Sequence, residues 1–116
     1  QETQKKGPLP LYPTLPLKTI NFFIRDQAEE KSFFVKIQLT LAYKSKKEFF
    51  LKELEQRELE MTDLILTLFS KKVFEDINTP EKREILKGEL KEVINQVLIN
   101  GQIEEIFISE FNILLN

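Results

Sequence analysis

The sequence predicts an α+β domain, two helices packed on a small antiparallel or mixed sheet, in the order β-β-α-α-β. Three observations carry that expectation. Apolar residues alternate with period two over residues 20–24 and again over 33–43, then recur with period 3.6 along two later stretches. The last stretch returns to the apolar density of a strand. Strands grouped together and followed by grouped helices indicate segregated layers rather than βαβ alternation.

The first sixteen residues read as a Pro-rich linker, with the domain spanning residues 17–116. Pro8, Pro10, Pro13 and Pro16 alternate with Leu9, Leu11 and Leu15, and each Pro fixes its own φ and removes a donor. Polyproline-II geometry follows, a semi-rigid spacer. Ile20, Phe22 and Ile24 then share one face of a short strand that runs out at Arg25-Asp26. After the polar turn 27–31, Phe33, Val35, Ile37, Leu39, Leu41 and Tyr43 face one way while Lys36, Gln38 and Thr40 face the other. Such strict alternation puts one face on a core and one in water, so these two strands form an antiparallel hairpin.

After Lys44-Ser45, Phe50, Leu54, Met61, Leu64, Ile65 and Leu68 fall on one helical face. The stripe is interrupted between Leu54 and Met61, where Arg57 takes an apolar place. Residues 47–60 are dense in charge, with i,i+4 pairs Glu48/Lys52 and Glu53/Arg57. The first half of this helix is therefore expected to project past the sheet, less buried than the second. Thr79-Pro80-Glu81 starts the second helix, with Thr79 as N-cap and Pro80 at the first helical position. That helix buries Leu86, Leu90, Val93, Ile94 and Val97, and Asn100-Gly101 is its expected stop. In the final strand an unbroken period of two puts Phe107, Phe111, Ile113 and Leu115 on one face. Ile106, Ile108 and Leu114 take the other, so this strand is expected to be covered on both sides.

At 116 residues the chain fits one domain, and folding at this size buries roughly 65% of the unfolded surface, enough for a core without staples. Seventeen basic against nineteen acidic residues leave a net charge of −2. The clusters Lys5-Lys6, Lys44 with Lys46-Lys47, and Lys71-Lys72 are short and diluted by Glu, so no nucleic-acid partner is expected. Cys and His are both absent, which removes thiol nucleophiles, disulfides, Cys/His zinc sites and imidazole bases. Glu104 and Glu105 are adjacent and point apart; Gly7, Gly88 and Gly101 are isolated and form no phosphate loop. No Ser sits in a nucleophile elbow. The reading is a non-enzyme without cofactor or metal, acting through other protein chains.

Four residues are candidates for that contact. Arg57 either snorkels to Glu53 or Glu60 or pairs with a carboxylate elsewhere in the fold or on a neighbouring subunit. Glu58 lies beside it on the part of the helix expected to project. In the pairs Phe33-Phe34 and Phe49-Phe50 one ring faces the core while its neighbour points elsewhere, which makes Phe34 and Phe49 candidate partner contacts.

From Leu54 onward the chain resembles the C-terminal domain of FliL, the flagellar basal-body-associated family. The similar text runs Leu54-Glu55-Gln56-Arg57, Asp63-Leu64-Ile65 and Leu68-Phe69-Ser70-Lys71-Lys72. It continues through Glu75-Asp76-Ile77-Asn78-Thr79-Pro80-Glu81, Leu86, Glu89-Leu90 and Ile94-Asn95 to Ile106-Phe107-Ile108-Ser109-Glu110-Phe111. Lys82 stands where the family usually has Gly, and Thr62 where it often has Arg. The resemblance covers residues 17–115 or so and rests on the ordered set.

It implies a stomatin-like (SPFH) fold and the periplasmic domain of a single-pass inner-membrane protein at the flagellar basal body. The membrane helix is then a segment outside this chain. It further implies ring-like homo-oligomers beside the stator proteins MotA and MotB, supporting stator assembly, motility and swarming. The alternatives are a stomatin-like membrane scaffold and a periplasmic ligand-binding module, both unrelated to flagella. No apolar run here approaches the ~20 residues that span a bilayer, and the first residues do not form a signal peptide.

Overall fold

A computed structural model describes residues 11–116. The Lys5-Lys6 pair and most of the expected linker, with Pro8, Leu9 and Pro10, lie outside the described residues. The elements are β1 (Thr14–Pro16), β2 (Ile20–Arg25), β3 (Ser32–Tyr43), α1 (Glu48–Gln56), α2 (Glu58–Phe69), a 3₁₀ turn (Phe74–Asp76), α3 (Pro80–Asn95) and β4 (Ile103–Leu115).

The long alternating strand is the spine. β3 pairs antiparallel with β2 along one edge, from Ser32↔Arg25 to Ile37↔Ile20, and with β1 further along that edge. Its other edge pairs antiparallel with β4 over nearly its whole length. Val35, Ile37, Leu39 and Leu41 are buried on the face that carries the helices, as their alternation requires. Ile20 and Ile24 of β2 join them. Asp26 closes the hairpin by accepting the N–H groups of Glu30 and Lys31 at 2.8 and 3.0 Å. The described part measures 46 × 42 × 19 Å, and the short axis is one sheet plus one helix layer thick.

The helices meet that face with Phe50, Leu54, Met61, Ile65 and Phe69 of α1–α2 and Leu86, Leu90 and Ile94 of α3. Each such side chain stabilises the fold by about 1.5–3 kcal/mol through burial. α3 begins as its sequence requires: the Thr79 hydroxyl accepts the Lys82 N–H at 3.2 Å and Pro80 occupies the first turn.

Five expectations are corrected. Thr14–Pro16, inside the stretch read as linker, is a strand paired with Ala42, Leu41 and Thr40. The extended backbone that Pro favours passes readily into an edge strand, where a missing donor costs little. The helix layer holds three helices, because the stretch read as one helix opens at Arg57 (φ −97, ψ 11). Its hydrogen bonds continue across the opening, Arg57 N–H to Glu53 and Met61 N–H to Arg57. Opening the turn lets a polar head leave a position on the apolar stripe. The first half does not project: Phe50 and Leu54 are 0% exposed.

α3 ends at Asn95, not at Asn100-Gly101, and Gly101 has no positive φ. It is small for another reason: a Cβ there would stand 2.9 Å from the Phe50 ring. Lastly, β4 is covered on one side only. Gln38 faces Glu110 but Leu39 faces Ile108, so Ser109 is an extra residue, a β-bulge. Its hydroxyl donates to the Gln38 carbonyl at 3.1 Å and lies 2.9 Å from the Thr40 hydroxyl. The bulge inverts the alternation, so Ile106, Ile108, Phe111 and Ile113 all pack toward the core. Phe107 and Leu114 are left on the opposite face, 46% and 64% exposed.

Candidate interaction surface on the helical layer

The charged start of the first helix is held down by one carboxylate. Glu53 is buried among the α1 side chains. One of its oxygens accepts the Asn100 N–H at 2.8 Å and the other the Ile99 N–H at 2.8 Å. Arg57 Nε donates to Glu53 at 2.8 Å, and Arg57 Nη1 reaches Glu60 at 2.8 Å. Burial by itself would push the Glu53 carboxyl up. The N–H groups of Asn100 and Ile99 and the Arg57 guanidinium outweigh it and hold the pKa below the usual carboxylate range. The Arg57 guanidinium is raised by its hydrogen bonds to Glu53 and Glu60.

The loop that Glu53 grips is itself closed. Asn95 accepts the Ile103 N–H at 2.8 Å and donates to the Ile103 carbonyl at 3.2 Å. Phe50 meets the Tyr43 ring edge-on at 5.5 Å and covers Gly101. α1, the 96–102 loop and the end of β3 thus form one rigid corner. Spacing along the helix reveals the Glu53/Arg57 pair. The two backbone donors lie 46 and 47 residues further on, and no local signal points to them.

The four candidate residues do not converge. Phe50 is fully buried while Phe49 is 51% exposed, with the Lys47 ammonium 5.5 Å from its ring centroid. Arg57 is committed to Glu53 and Glu60, the snorkelling arrangement. Glu58 accepts the Lys18 N–H at 3.0 Å and so ties the β1–β2 connection to the start of α2. Phe34 lies on the face of the sheet turned away from the helices. It meets Phe23 edge-on at 5.4 Å there and faces Leu114 across β4. Phe33 does not point into the centre of the core but stacks on Phe74 at 4.1 Å.

Sequence reasoning passed over Leu59 and Leu66, which are 84% and 37% exposed on the outer side of α2. With Gln56, Glu60, Thr62 and Asp63 they line an open depression of about 600 Å³. Their spacing of seven, off the core stripe, was the available signal. Among the described residues no three acidic side chains are placed to hold a metal ion. Nor is any helix there long and apolar enough to cross a membrane.

A family model described as flagellar basal body-associated protein FliL matches residues 14–113. The flagellar protein FliL of Aquifex aeolicus is 30% identical over 90 residues, covering 78% of this chain and 55% of that protein. Its namesake in Bacillus subtilis is 33% identical over 61 residues, 53% of this chain and 44% of the relative. That of Borreliella burgdorferi is 32% identical over 83 residues, 72% and 44% respectively. The chain thus spans about half the length of the curated relatives it matches. The match takes in every strand and helix except the end of β4, and the chain belongs to the FliL family of flagellar basal-body-associated proteins.

Proposed function

We propose that this chain is the periplasmic part of a non-enzymatic accessory of the flagellar motor. Copies associate around or beside the stator units, MotA and MotB, and favour their assembled, active state by binding it better than the free one. A membrane helix outside this sequence anchors it in the inner membrane, with the Pro-rich leader as spacer. A stomatin-like arrangement of the domain accompanies that self-association. Motility and swarming are the outputs.

The observation that carries the reading is the family match across nearly all of the described fold. The surface supports it. Phe49, Leu59 and Ile99 are exposed around a corner held rigid by Glu53, and Phe23, Phe34 and Leu114 form a second apolar patch on the other face. Exposed apolar residues on a rigid frame suit protein contacts. Phe34, Phe49, Arg57 and Glu58 remain the residues assigned to those contacts.

Photo-crosslinking in motile cells from position 49 of the full-length protein tests it. Adducts with the protein itself and with stator subunits are the expected products. Adducts with neither, while the cells swim, would overturn the interface. Charge reversal at Arg57 is expected to lower motility with the circular dichroism of the domain retained.

A further inference from the structure

Positive charge gathers at one corner, where the local fold disfavours it. Lys46 and Lys47 stand at the start of α1, the positive end of its dipole, where an acid or a capping hydroxyl is the stabilising choice. Lys47 occupies the cap position itself and makes no side-chain cap hydrogen bond. Lys44 precedes them and Lys52 follows along α1; all four are exposed, and no acidic residue lies between Ala42 and Lys47. Glu48 is the exposed acid beside them, 3.9 Å from Lys52, and Glu53 is buried and paired with Arg57. The tertiary structure adds apolar tips. The 96–102 loop has no charged side chain and carries Ile99, 76% exposed. Glu53 fixes that loop beside α1, so Phe49, Lys52 and Ile99 border one open depression of about 530 Å³. The Lys47 ammonium lies 5.5 Å from the Phe49 ring centroid, propped outward by it. The chain enters the sheet here too: the Tyr43 N–H donates to the Pro13 carbonyl at 3.1 Å, and exposed Leu11 lies two residues before.

We propose that this corner rests on a lipid surface rich in anionic headgroups, with Ile99 and Leu11 entering the headgroup boundary and Lys44, Lys46, Lys47 and Lys52 over the phosphates. Interfacial contact needs apolar tips and cations on one face, and this corner supplies both. Charge decides the occupant. The whole chain carries a net charge of −2, so attraction to an anionic surface comes from one face rather than from the molecule as a whole. Lipid phosphates also meet the unused N–H groups at the start of α1, which the Lys47 side chain leaves uncapped. Docked this way, the domain turns its chain entry at Pro13 toward the lipid. An anchor in the same bilayer would hold the corner at high effective concentration, so a weak contact suffices. The inference takes the membrane anchor from the preceding reading and is independent of the motor.

Vesicle flotation of the 116-residue chain at low salt tests this with neither anchor nor motor present. On vesicles of about 30% phosphatidylglycerol in phosphatidylcholine, four lysines at about fivefold each place half-binding near about 1 mM lipid. Pure phosphatidylcholine should bind nothing, and rising salt should release the chain. Lys46→Gln/Lys47→Gln is expected to raise the lipid needed about 25-fold. Lys71→Gln/Lys82→Gln, two exposed lysines on other parts of the fold, should leave it unchanged. The sequence has no Trp, so an introduced indole reports depth. The emission of Ile99→Trp should move to the blue on these vesicles. That of Leu114→Trp should not, since it lies about 35 Å along β4 from the end that adjoins this corner. No binding at low salt overturns the proposal, as does equal binding to pure phosphatidylcholine. So does binding that survives Lys46→Gln/Lys47→Gln, or a blue shift at position 114 instead of 99. Motility lost in the Lys46→Gln/Lys47→Gln strain while the parent chain ignores vesicles would assign the lysines to an acidic protein instead. Lysine-dependent vesicle binding supports the proposal even where position 49 gives no stator adducts, an outcome that counts against the motor reading alone.

Discussion

Glu53→Gln separates a structural latch from a decorative surface carboxylate. The amide keeps the size of the side chain but turns one acceptor into a donor, which must then face a backbone N–H at 2.8 Å or the Arg57 guanidinium. Each carboxylate bond to Ile99 or Asn100 contributes about 1.5 kcal/mol, the lower end for a charged acceptor. The partly exposed Arg57 pair adds less than either, and Arg57 retains Glu60. With one neutral acceptor surviving, the expected loss for Glu53→Gln is about 2 kcal/mol, and for Glu53→Ala about 3 kcal/mol. At about 4 °C per kcal/mol for a domain of this size, Glu53→Gln should melt about 8 °C below the parent. Scanning calorimetry reads this directly, with the exposed Glu55→Gln as a control expected within about 0.5 kcal/mol. A melting point within about 2 °C of the parent would refute the latch.

The same contact has a pH signature of definite sign. The folded pKa of Glu53 lies below its unfolded value. Its contribution is therefore complete above the unfolded value of about 4.3 and is lost as pH falls through the lower folded value. The gap between parent and Glu53→Gln should be widest near neutrality and close in acid.

Opposite outcomes are expected at two glycines. Gly88→Ala meets nothing within 4 Å and should stabilise α3 by about 1 kcal/mol, whereas Gly101→Ala drives a methyl into the Phe50 ring and should cost about 1–3 kcal/mol. Urea denaturation orders the two. Thr79→Ala removes the acceptor for the Lys82 N–H and should cost about 1 kcal/mol, with Thr79→Ser near the parent in the same assay. Deleting Ser109 takes away the bulge and turns either Ile103 and Ile106 or Phe111 and Ile113 out of the core. Loss of near-ultraviolet dichroism and of a cooperative melt is the expected result, and a cooperative fold would refute the register.

Much of the architecture is legible in short-range spacing. Alternation along β2 and β3 selects their buried faces, and the Thr79-Pro80 signal places the start of α3 to the residue. In the Phe49-Phe50 pair the helical period sends one ring in and one out. These features repeat every two to four residues because backbone geometry repeats at that interval, so they are written locally. Ser109 defeats the same logic: one inserted residue inverts a face, and only pairing with Gln38 and Leu39 reveals it.

The sequence by itself determined the α+β class, the identity of most core residues, the cap of α3 and the absence of imidazole and thiol chemistry. Tertiary structure decided the rest. It made Glu53 a buried acceptor for donors 46 and 47 residues away, and it kept Gly101 small for a ring 51 positions earlier in the chain. It also recruited Thr14–Pro16 into the sheet and left Leu59 and Leu66 facing outward. The physical reason is common to all four. Which distant groups meet depends on strand register and helix docking, and these are set by the packing of the whole core rather than by any local preference.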